Sequence, residues 1–550
     1  MPEIRPRMAP LVPLAAFMCA LGAVAGGLFG SFSSWLYGSP LDPVPAGMVT
    51  LGGSAGAWAG LAAGIAWSWV MIRNILGKRM PLERIRVEGI TWGVVVGILA
   101  GVVPHAVMAT AARMPVLVCL IGAVFGANVG WIAGRISSRV ACVQAQRVWP
   151  GLYGRSPWQR ASLLNVLVMF RGLPGKVPAR HLLGLLWRLR KEKPHVFAGQ
   201  VRVNTFFPPF PSRAFERFRE VVIQRRRTPF SAYLAVTHEC PYRCDHCSVA
   251  GRDGAAMTGG QLLDVIGQIK ALGTCTLGLT GGEPMRRADL PELVAAAGPE
   301  MATVVFTTGF GLDAEAAERL ARARVTCVTV GIESARPADH DAVRDVPGSF
   351  EQAARAVRAC RNAGIYTAIS TVATRPRLRS GALDAMLRLG WQWGASEFRI
   401  LSPVATGAAA GRQDFMLDEA DLARLRRFHA RSNRRLGPPA VACFAHLESP
   451  GVFGCGGGYH HLYIDAAGNV CPCDLTPAAF GNVTERPLAE IWEEMAGHFG
   501  LPRRRCIMRD LAGKLGEAPL PLSADDARRL IPPRQDNEPL PDGYRHLLDR

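Results

Sequence analysis

Charge is missing from long parts of this 550-residue chain. No Asp, Glu, Lys or Arg occurs from Met8 to Leu41, from Pro43 to Ile72, from Gly89 to Ala112 or from Met114 to Gly134. Each run can supply the ~20 apolar residues that a bilayer crossing needs. The pattern predicts four transmembrane helices, near 10–32, 47–72, 90–110 and 115–134, and excludes a wholly soluble N-terminal part. Polarity at depth is scarce too, with only His105 and Asn128, which favours an anchor or a dimer interface over a transport path. Glycines recur every fourth residue in all four runs, as in Gly52, Gly56, Gly60 and Gly64, so small faces can pack closely.

Acidic residues are also short in the first 230 positions. The chain carries 63 Lys and Arg against 44 Asp and Glu, a net +19. Residues 1–150 contribute +7, residues 151–230 contribute +13, and residues 231–550 contribute −1. The long C-terminal part therefore offers no bulk charge for nucleic acid. With 49% hydrophobic residues, a disordered or collagen-like chain is excluded.

The basic residues set a topology. Arg73, Lys78, Arg79, Arg84 and Arg86 crowd the second loop, and Arg135, Arg139 and Arg147 follow the fourth run. The positive-inside rule puts both termini, and all that follows, on the cytoplasmic side of the inner membrane. Residues 140–230 read as a basic connector. Ser156-Pro157 is a helix start. Leu182–Leu189 interleaves with Arg188, Arg190, Lys191 and Lys193, as in a helix lying on anionic lipid or an ordinary docking helix.

Fourteen cysteines are unevenly placed, and tight spacing in so long a chain points to metal or redox chemistry over a disulfide scaffold. Cys240, Cys244 and Cys247 follow a strand-like run, Tyr233–Val236. Three such thiolates can hold three corners of an iron–sulfur cluster and leave one iron open. Zinc is the alternative, because His238 and His246 flank the trio. Further strands are predicted at Thr276–Thr280, Val304–Gly309, Cys327–Ser334, Thr367–Val372 and Phe398–Leu401. Helices such as Ala314–Ala323 and Phe350–Ala363 lie between. Alternation of this kind implies a parallel sheet with a site at its C-terminal face. Gly281, Gly282, Glu283 and Pro284 end the second strand. There glycines let backbone approach a ligand, and a carboxylate can hold an ammonium group.

Cys-x3-Cys-x2-Cys followed by Gly-Gly-Glu-Pro resembles the radical S-adenosylmethionine (radical SAM) superfamily across roughly 231–401. The resemblance implies a partial (β/α)6 barrel of α/β class. It implies a 4Fe–4S cluster on Cys240, Cys244 and Cys247, and SAM chelated to the open iron. It gives His246, Gly281, Gly282, Glu283, Thr308, Glu333, Ser334, Arg344 and Leu401 as SAM-side residues. It further implies reductive SAM cleavage to a 5′-deoxyadenosyl radical, with an electron donor such as ferredoxin or flavodoxin. Gly331 departs from the family pattern, where serine is frequent, so a hydroxyl contact is lost there or supplied by Ser334.

A second cluster follows. Leu462–Val470 reads as a small hairpin with Ala-Gly-Asn at its turn, with Cys455 before it and Cys471 or Cys473 after it. Asp465 reads as a turn residue and His460 as a surface one. The Cys455…Gly468…Cys473 spacing resembles the SPASM or twitch extension. A second run of closely spaced cysteines is lacking, which implies one auxiliary 4Fe–4S cluster. Cys455, Cys473 and Cys506 are its ligands, Cys443 is the expected fourth, and Cys471 is a rival; zinc is the alternative metal.

These readings give a four-helix transmembrane anchor (1–139), a connector (140–230), the barrel (231–405), a linker helix with a small α+β cysteine-rich extension (406–510) and a capping or loosely ordered tail (511–550). The function expected is a membrane-anchored radical SAM oxidoreductase acting on a peptide, protein or cofactor precursor. The alternatives are a lipid or isoprenoid-linked substrate, and a membrane redox sensor or electron relay that never cleaves SAM.

Overall fold

The structure, a computed structural model, describes residues 158–161, 163–435, 437–515, 520–535 and 537–548, plus isolated positions 90, 91, 94, 95, 98 and 131. The four expected membrane spans fall outside the described residues except at those isolated positions, which are helical. Among the described residues, no helix is long and apolar enough to cross a membrane. The chain divides into two compact units, Met1–Ser156 and Pro157–Arg550, and the second holds both sheets.

The second unit begins with a small antiparallel sheet of β1 (Trp158–Arg160), β2 (His195–Phe197) and β3 (Gln200–Arg202). The helix expected to start at Ser156-Pro157 is thus replaced by a strand at Trp158. Tertiary packing overrides the local signal, because Trp158 stacks on His195 at 4.9 Å and joins a buried cluster with Phe197 and Tyr366. That cluster includes Val304, Cys327 and Ala368, so the small sheet plugs the N-terminal end of the main sheet, opposite the cysteine loops.

The main sheet comprises β4 (Ser231–Ala235), β5 (Thr276–Thr280), β6 (Ala302–Thr307), β7 (Cys327–Gly331), β8 (Thr367–Val372), β9 (Glu397–Leu401), β10 (Ala440–Cys443), β11 (His461–Ile464) and β12 (Val470–Cys471). Their order is β10-β9-β8-β7-β6-β5-β4-β11-β12. β4 to β10 run parallel throughout. The six expected barrel strands are therefore present in sequence order. They are covered on both faces, which is why they read as apolar runs with little alternation. Helix Gly259–Ala271 shows how a crossover is built. Thr258 and Gln261 form a reciprocal capping box, and Leu262, Val265, Ile266 and Ile269 line the face turned to the sheet.

Both edges of the six-stranded core are extended. β10 adds in parallel to β9, with Val441 opposite Phe398. The hairpin expected around Leu462–Val470 is β11–β12, and β11 pairs in parallel with β4 along its whole length, His461 opposite Ser231 to Ile464 opposite Leu234. The tail is packed: Leu522 pairs with Ala478 across an isolated bridge, and Leu547 and Tyr544 pack with Leu173, Val177 and Leu182. In the connector, helix Ala179–Leu189 docks on that tail yet leaves Leu183 and Trp187, one turn apart, 66% and 65% exposed.

Because β11 belongs to the same sheet as β4, the cysteine-rich extension has no separate melting unit. Leu462→Ala removes a fully buried side chain from β11. The loss is expected to cost about 2–5 kcal/mol. It should lower one common denaturation midpoint, read in parallel by far-UV circular dichroism and by the iron–sulfur absorption band.

Candidate active site

The C-terminal ends of the parallel strands converge on one cavity of about 420 Å³, and both cysteine trios open into it. Cys240, Cys244, Cys247 and His246 come from the loop after β4, Gly281 and Gly282 from the end of β5, and Thr308 from the end of β6. Glu333 and Arg344 come from β7 and the helix after it, and Leu401 ends β9. Cys455, Cys473 and Cys506 face the same space from the extension. All six are free thiols.

The first trio sits on a loop held from three sides. A Cβ on Gly282 would overlap the Glu239 carbonyl, and one on Gly281 would overlap that of Thr237. The amides of Gly282 and Glu283 donate to those same carbonyls at 2.8 and 2.7 Å. The two glycines thus let β5 press on the cysteine loop; the close approach they permit is to the protein's own backbone. Gly407, at φ +57°, does the same from the other side. Its Cβ would overlap the Cys247 carbonyl, which accepts from the Ala408 amide at 2.9 Å. On the third side Arg344 donates from Nη1 to Cys244 Sγ at 3.3 Å.

Glu333 organises the cations here. It is 3% exposed, and His246 Nε2, Arg344 Nη2 and Arg377 Nη1 reach its carboxylate at 3.2, 2.8 and 2.6 Å. Burial alone would raise this carboxyl, but His246 and the two arginines overcome it and hold it well below the usual range. Burial likewise opposes the charge on His246, yet Glu333 and Asp245 outweigh it and raise the ring to about 9. A Cβ on Gly331 would overlap Arg344 Nη2. Glycine stands at 331 because the guanidinium occupies the space that a side chain would take.

Two expected SAM contacts lie elsewhere. Glu283 is fully buried and does not line the cavity; its carboxylate accepts from Thr307 Oγ1, the Thr308 amide and the Met285 amide at 2.7, 2.7 and 3.1 Å. It fastens β5 to β6 instead of facing a ligand. Ser334 is turned to the next helix, where its hydroxyl accepts from the Arg336 amide at 3.1 Å. It supplies no hydroxyl in place of the one missing at 331.

The second trio converges without Cys443 or Cys471. A Cβ on Gly457 would lie 3.7 Å from both Cys455 Sγ and Cys473 Cβ, and the Cys455 amide donates to Arg503 at 2.7 Å, which brings Cys506 close. The Cys506 thiol hydrogen-bonds Cys455. That bond, acting against burial and joined by the amides of Gly457 and Ile507, lowers Cys455 to about 6. Cys443 is buried in the main core on β10, and Cys471 lies on β12 beside Tyr463 and Ala466. Strand pairing takes both away from the trio. Glu448 and Asp474 bring carboxylates to the same cavity, and His460 is 4% exposed, stacked on Phe230 at 4.6 Å, not a surface residue. Asp465 does hold the hairpin turn, accepting from the amides of Ala467 and Asn469.

Sequence reasoning missed Tyr233, Phe306, Arg399, Phe444, Glu448 and Arg377. The first five line the cavity, and Arg377 completes the Glu333 cluster. Arg399 stands between Phe398 and Ile400 in an otherwise largely apolar buried strand, so that charge was detectable in principle. Arg399 donates to the Tyr233 hydroxyl at 3.3 Å, and also to Thr205 Oγ1, while its Nε is unpartnered.

The donor sets fit iron–sulfur chemistry. Each trio gives three thiols to one clear space, where a 4Fe–4S cluster takes up to four. A guanidinium on Cys244 Sγ is the kind of hydrogen bond that tunes a ligated sulfur. Removing the central carboxylate should expose this dependence. Glu333→Gln leaves three cations facing a neutral amide, and is expected to destabilise the fold by about 3–5 kcal/mol. Gly331→Ser should displace Arg344 from Glu333, lowering the melting temperature and weakening SAM binding at least tenfold by calorimetry.

The chain matches the radical SAM superfamily model over residues 234–375 and an iron–sulfur cluster-binding SPASM domain over residues 455–504. It is 32% identical over 292 residues to a PqqA peptide cyclase of Streptomyces rochei, covering 48% of this chain and 75% of that protein. It is 29% identical over 308 residues to an AdoMet-dependent heme synthase of Nitratidesulfovibrio vulgaris, covering 51% and 82%. Among solved structures it is similar to Streptococcus suis SuiB bound to S-adenosylmethionine, at 17% identity and a TM-score of 0.42 over 50% of this chain and 68% of that one. The chain belongs to the radical SAM superfamily, as an enzyme that uses SAM, a SAM-binding 4Fe–4S cluster and an auxiliary cluster in a SPASM domain.

Proposed function

We propose that this is a membrane-anchored maturase that abstracts hydrogen from a peptide or protein, with Cys240, Cys244 and Cys247 holding the SAM-binding cluster and Cys455, Cys473 and Cys506 the auxiliary one. The observation that carries the reading is the shared cavity: both trios face a single chamber, so a substrate there lies within reach of both. Similarity to a peptide cyclase supports a peptide over the other substrates, and similarity to a heme synthase keeps a cofactor precursor as the second reading. When bound, the first cluster and SAM supply a 5′-deoxyadenosyl radical.

The chain's own residues position and exclude. Glu333 fixes His246 and Arg344 against the cysteine loop, so SAM meets a preset pair of cations. Tyr233, Phe306 and Phe444 wall the chamber with rings that keep water from a reactive centre. Arg399, with an unpartnered Nε, can hold a carboxylate or carbonyl of the substrate. Glu448 or Asp474 offers an oxygen ligand for the fourth corner of the auxiliary cluster, since no fourth thiol lines the cavity among the described residues.

The anchor rests on the uncharged runs between Met8 and Gly134 and the basic loops between them. The arrangement puts residues 140–550 in the cytoplasm, where a low-potential cluster can be reduced by a ferredoxin or flavodoxin. We take the connector, barrel and extension as residues 140–230, 231–405 and 406–510 with 511–550 as the closing segment, the extension sharing the barrel's sheet through β10 and β11.

Anaerobically reconstituted enzyme given dithionite and SAM should release 5′-deoxyadenosine. Cys240→Ala should abolish release and remove about half the iron. Cys455→Ala should also remove about half the iron, but keep release while losing peptide modification. Absence of 5′-deoxyadenosine from iron-replete wild type would sink the enzyme reading in favour of a redox relay. Alkaline carbonate extraction checks the anchor, since the full chain should stay with membranes, and its release into the supernatant would refute the four spans.

A further inference from the structure

Three ionisable side chains outside the cysteine cavity meet in the core at the β10 edge. Glu192 follows the connector helix Ala179–Leu189, His429 lies on helix Glu419–Asn433, and His446 lies on the short turn Phe444–Leu447 after β10. They are 7%, 0% and 3% exposed. One ligand atom from each lies within 4.8 Å of the others. Glu192 Oε1 is 3.1 Å from His429 Nε2 and 3.8 Å from His446 Nε2, and the two rings are 4.2 Å apart at 30°.

A buried hydrogen-bonded pair accounts for Glu192 and His429 but not for His446. At 3.8 Å its Nε2 makes no hydrogen bond, and it is buried without another partner. An orphaned buried nitrogen of this kind costs about 1–3 kcal/mol. His429 Nδ1 is orphaned as well. The separations suit a metal. Two ligands at about 2.0–2.1 Å from a tetrahedral ion stand roughly 3.3 Å apart, between the two observed distances of 3.1 and 3.8 Å. The other carboxylate oxygen, Oε2, accepts from Asn204 Nδ2 at 3.1 Å, which orients the group and leaves Oε1 towards the histidines.

We propose that Glu192, His429 and His446 form a metal centre distinct from both cysteine trios, taking a borderline divalent ion, Zn2+ above all. Two imidazoles and one carboxylate are a donor set for zinc, whereas iron–sulfur clusters take thiolates. Glu192 and His446 also line an apolar cavity of about 150 Å³ with Phe206, Phe453 and Tyr544, from which a fourth, exchangeable ligand can enter. The ion would staple the connector to the β10 edge of the barrel. Its ligands are 237 and 17 residues apart in the chain, so no sequence motif announces them.

The full-length holoenzyme, purified anaerobically in detergent, is dialysed with Zn2+, freed of loose metal by gel filtration, and assayed for zinc and iron by mass spectrometry. A single tightly held zinc per chain is expected in the wild type. It should persist in the Cys240→Ala/Cys244→Ala/Cys247→Ala and Cys455→Ala/Cys473→Ala/Cys506→Ala variants, which lose iron, and vanish in Glu192→Gln and His446→Gln, which keep iron. Zinc should also raise the wild-type melting temperature. Wild type without stoichiometric zinc, or zinc undiminished in Glu192→Gln, overturns the proposal. Should the triad variants fail to fold, a wild-type melting temperature indifferent to zinc overturns it equally.

Discussion

The carboxylate of Glu333 is reached from three directions by cations that belong to three different segments. His246 comes from the cysteine loop, Arg344 from the helix after β7, and Arg377 from the helix after β8. Burying one carboxylate with three cationic partners carries a large desolvation cost, recovered only if every partner stays in place. That condition fixes the cysteine loop relative to the barrel, because His246 precedes Cys247 and Arg344 holds Cys244 Sγ at 3.3 Å. Gly331 follows from the same constraint, since any side chain there would evict the guanidinium. What looks in the sequence like the loss of a hydroxyl contact is space kept for a cation.

The sequence made the parallel strands legible because each is buried on both faces. A doubly covered strand needs a short apolar run between turn residues, and Ala302–Thr307 and Cys327–Gly331 both have one. The first cysteine trio was legible for another reason: its ligands are local, so spacing alone brings them together. Glu283 was misread because a carboxylate at a strand end serves equally well as a ligand holder and as an acceptor for neighbouring amides. Only the positions of Thr307 and Thr308 decide between the two. Cys443 and Cys471 were misread because their burial is set by β10 and β12, whose pairing depends on partners far away in the chain.

The extension shows how far long-range pairing can redraw a boundary. Local reading sees a free-standing hairpin after a linker. The register of β11 on β4 makes it the eighth parallel strand of the sheet, next to the strand that feeds the cysteine loop. Cys240 and Cys455 are 215 residues apart, yet one follows β4 and the other leads into β11, adjacent strands of one sheet, and both open on one cavity. A hinge between barrel and extension would have to break ladder hydrogen bonds. The placement of the extension against the barrel is therefore set by the sheet.

Charge is distributed to match this geometry. The sum over residues 231–550 is −1, but arginines gather where they are needed: Arg344 and Arg377 at Glu333, Arg399 inside the barrel, and Arg504, Arg505 and Arg509 along the same cavity. Glu333, Glu419, Glu448 and Asp474 line the same cavity, so these arginines act on a ligand as local partners, and the catalytic part has no net charge to attract nucleic acid. The excess of +20 in residues 1–230 is placed differently, and part of it lies inside the fold, where Lys193 and Arg202 are buried and Arg227 lies over Trp492. The catalytic part thus keeps a near-zero sum while its arginines stay clustered at Glu333 and along the cavity.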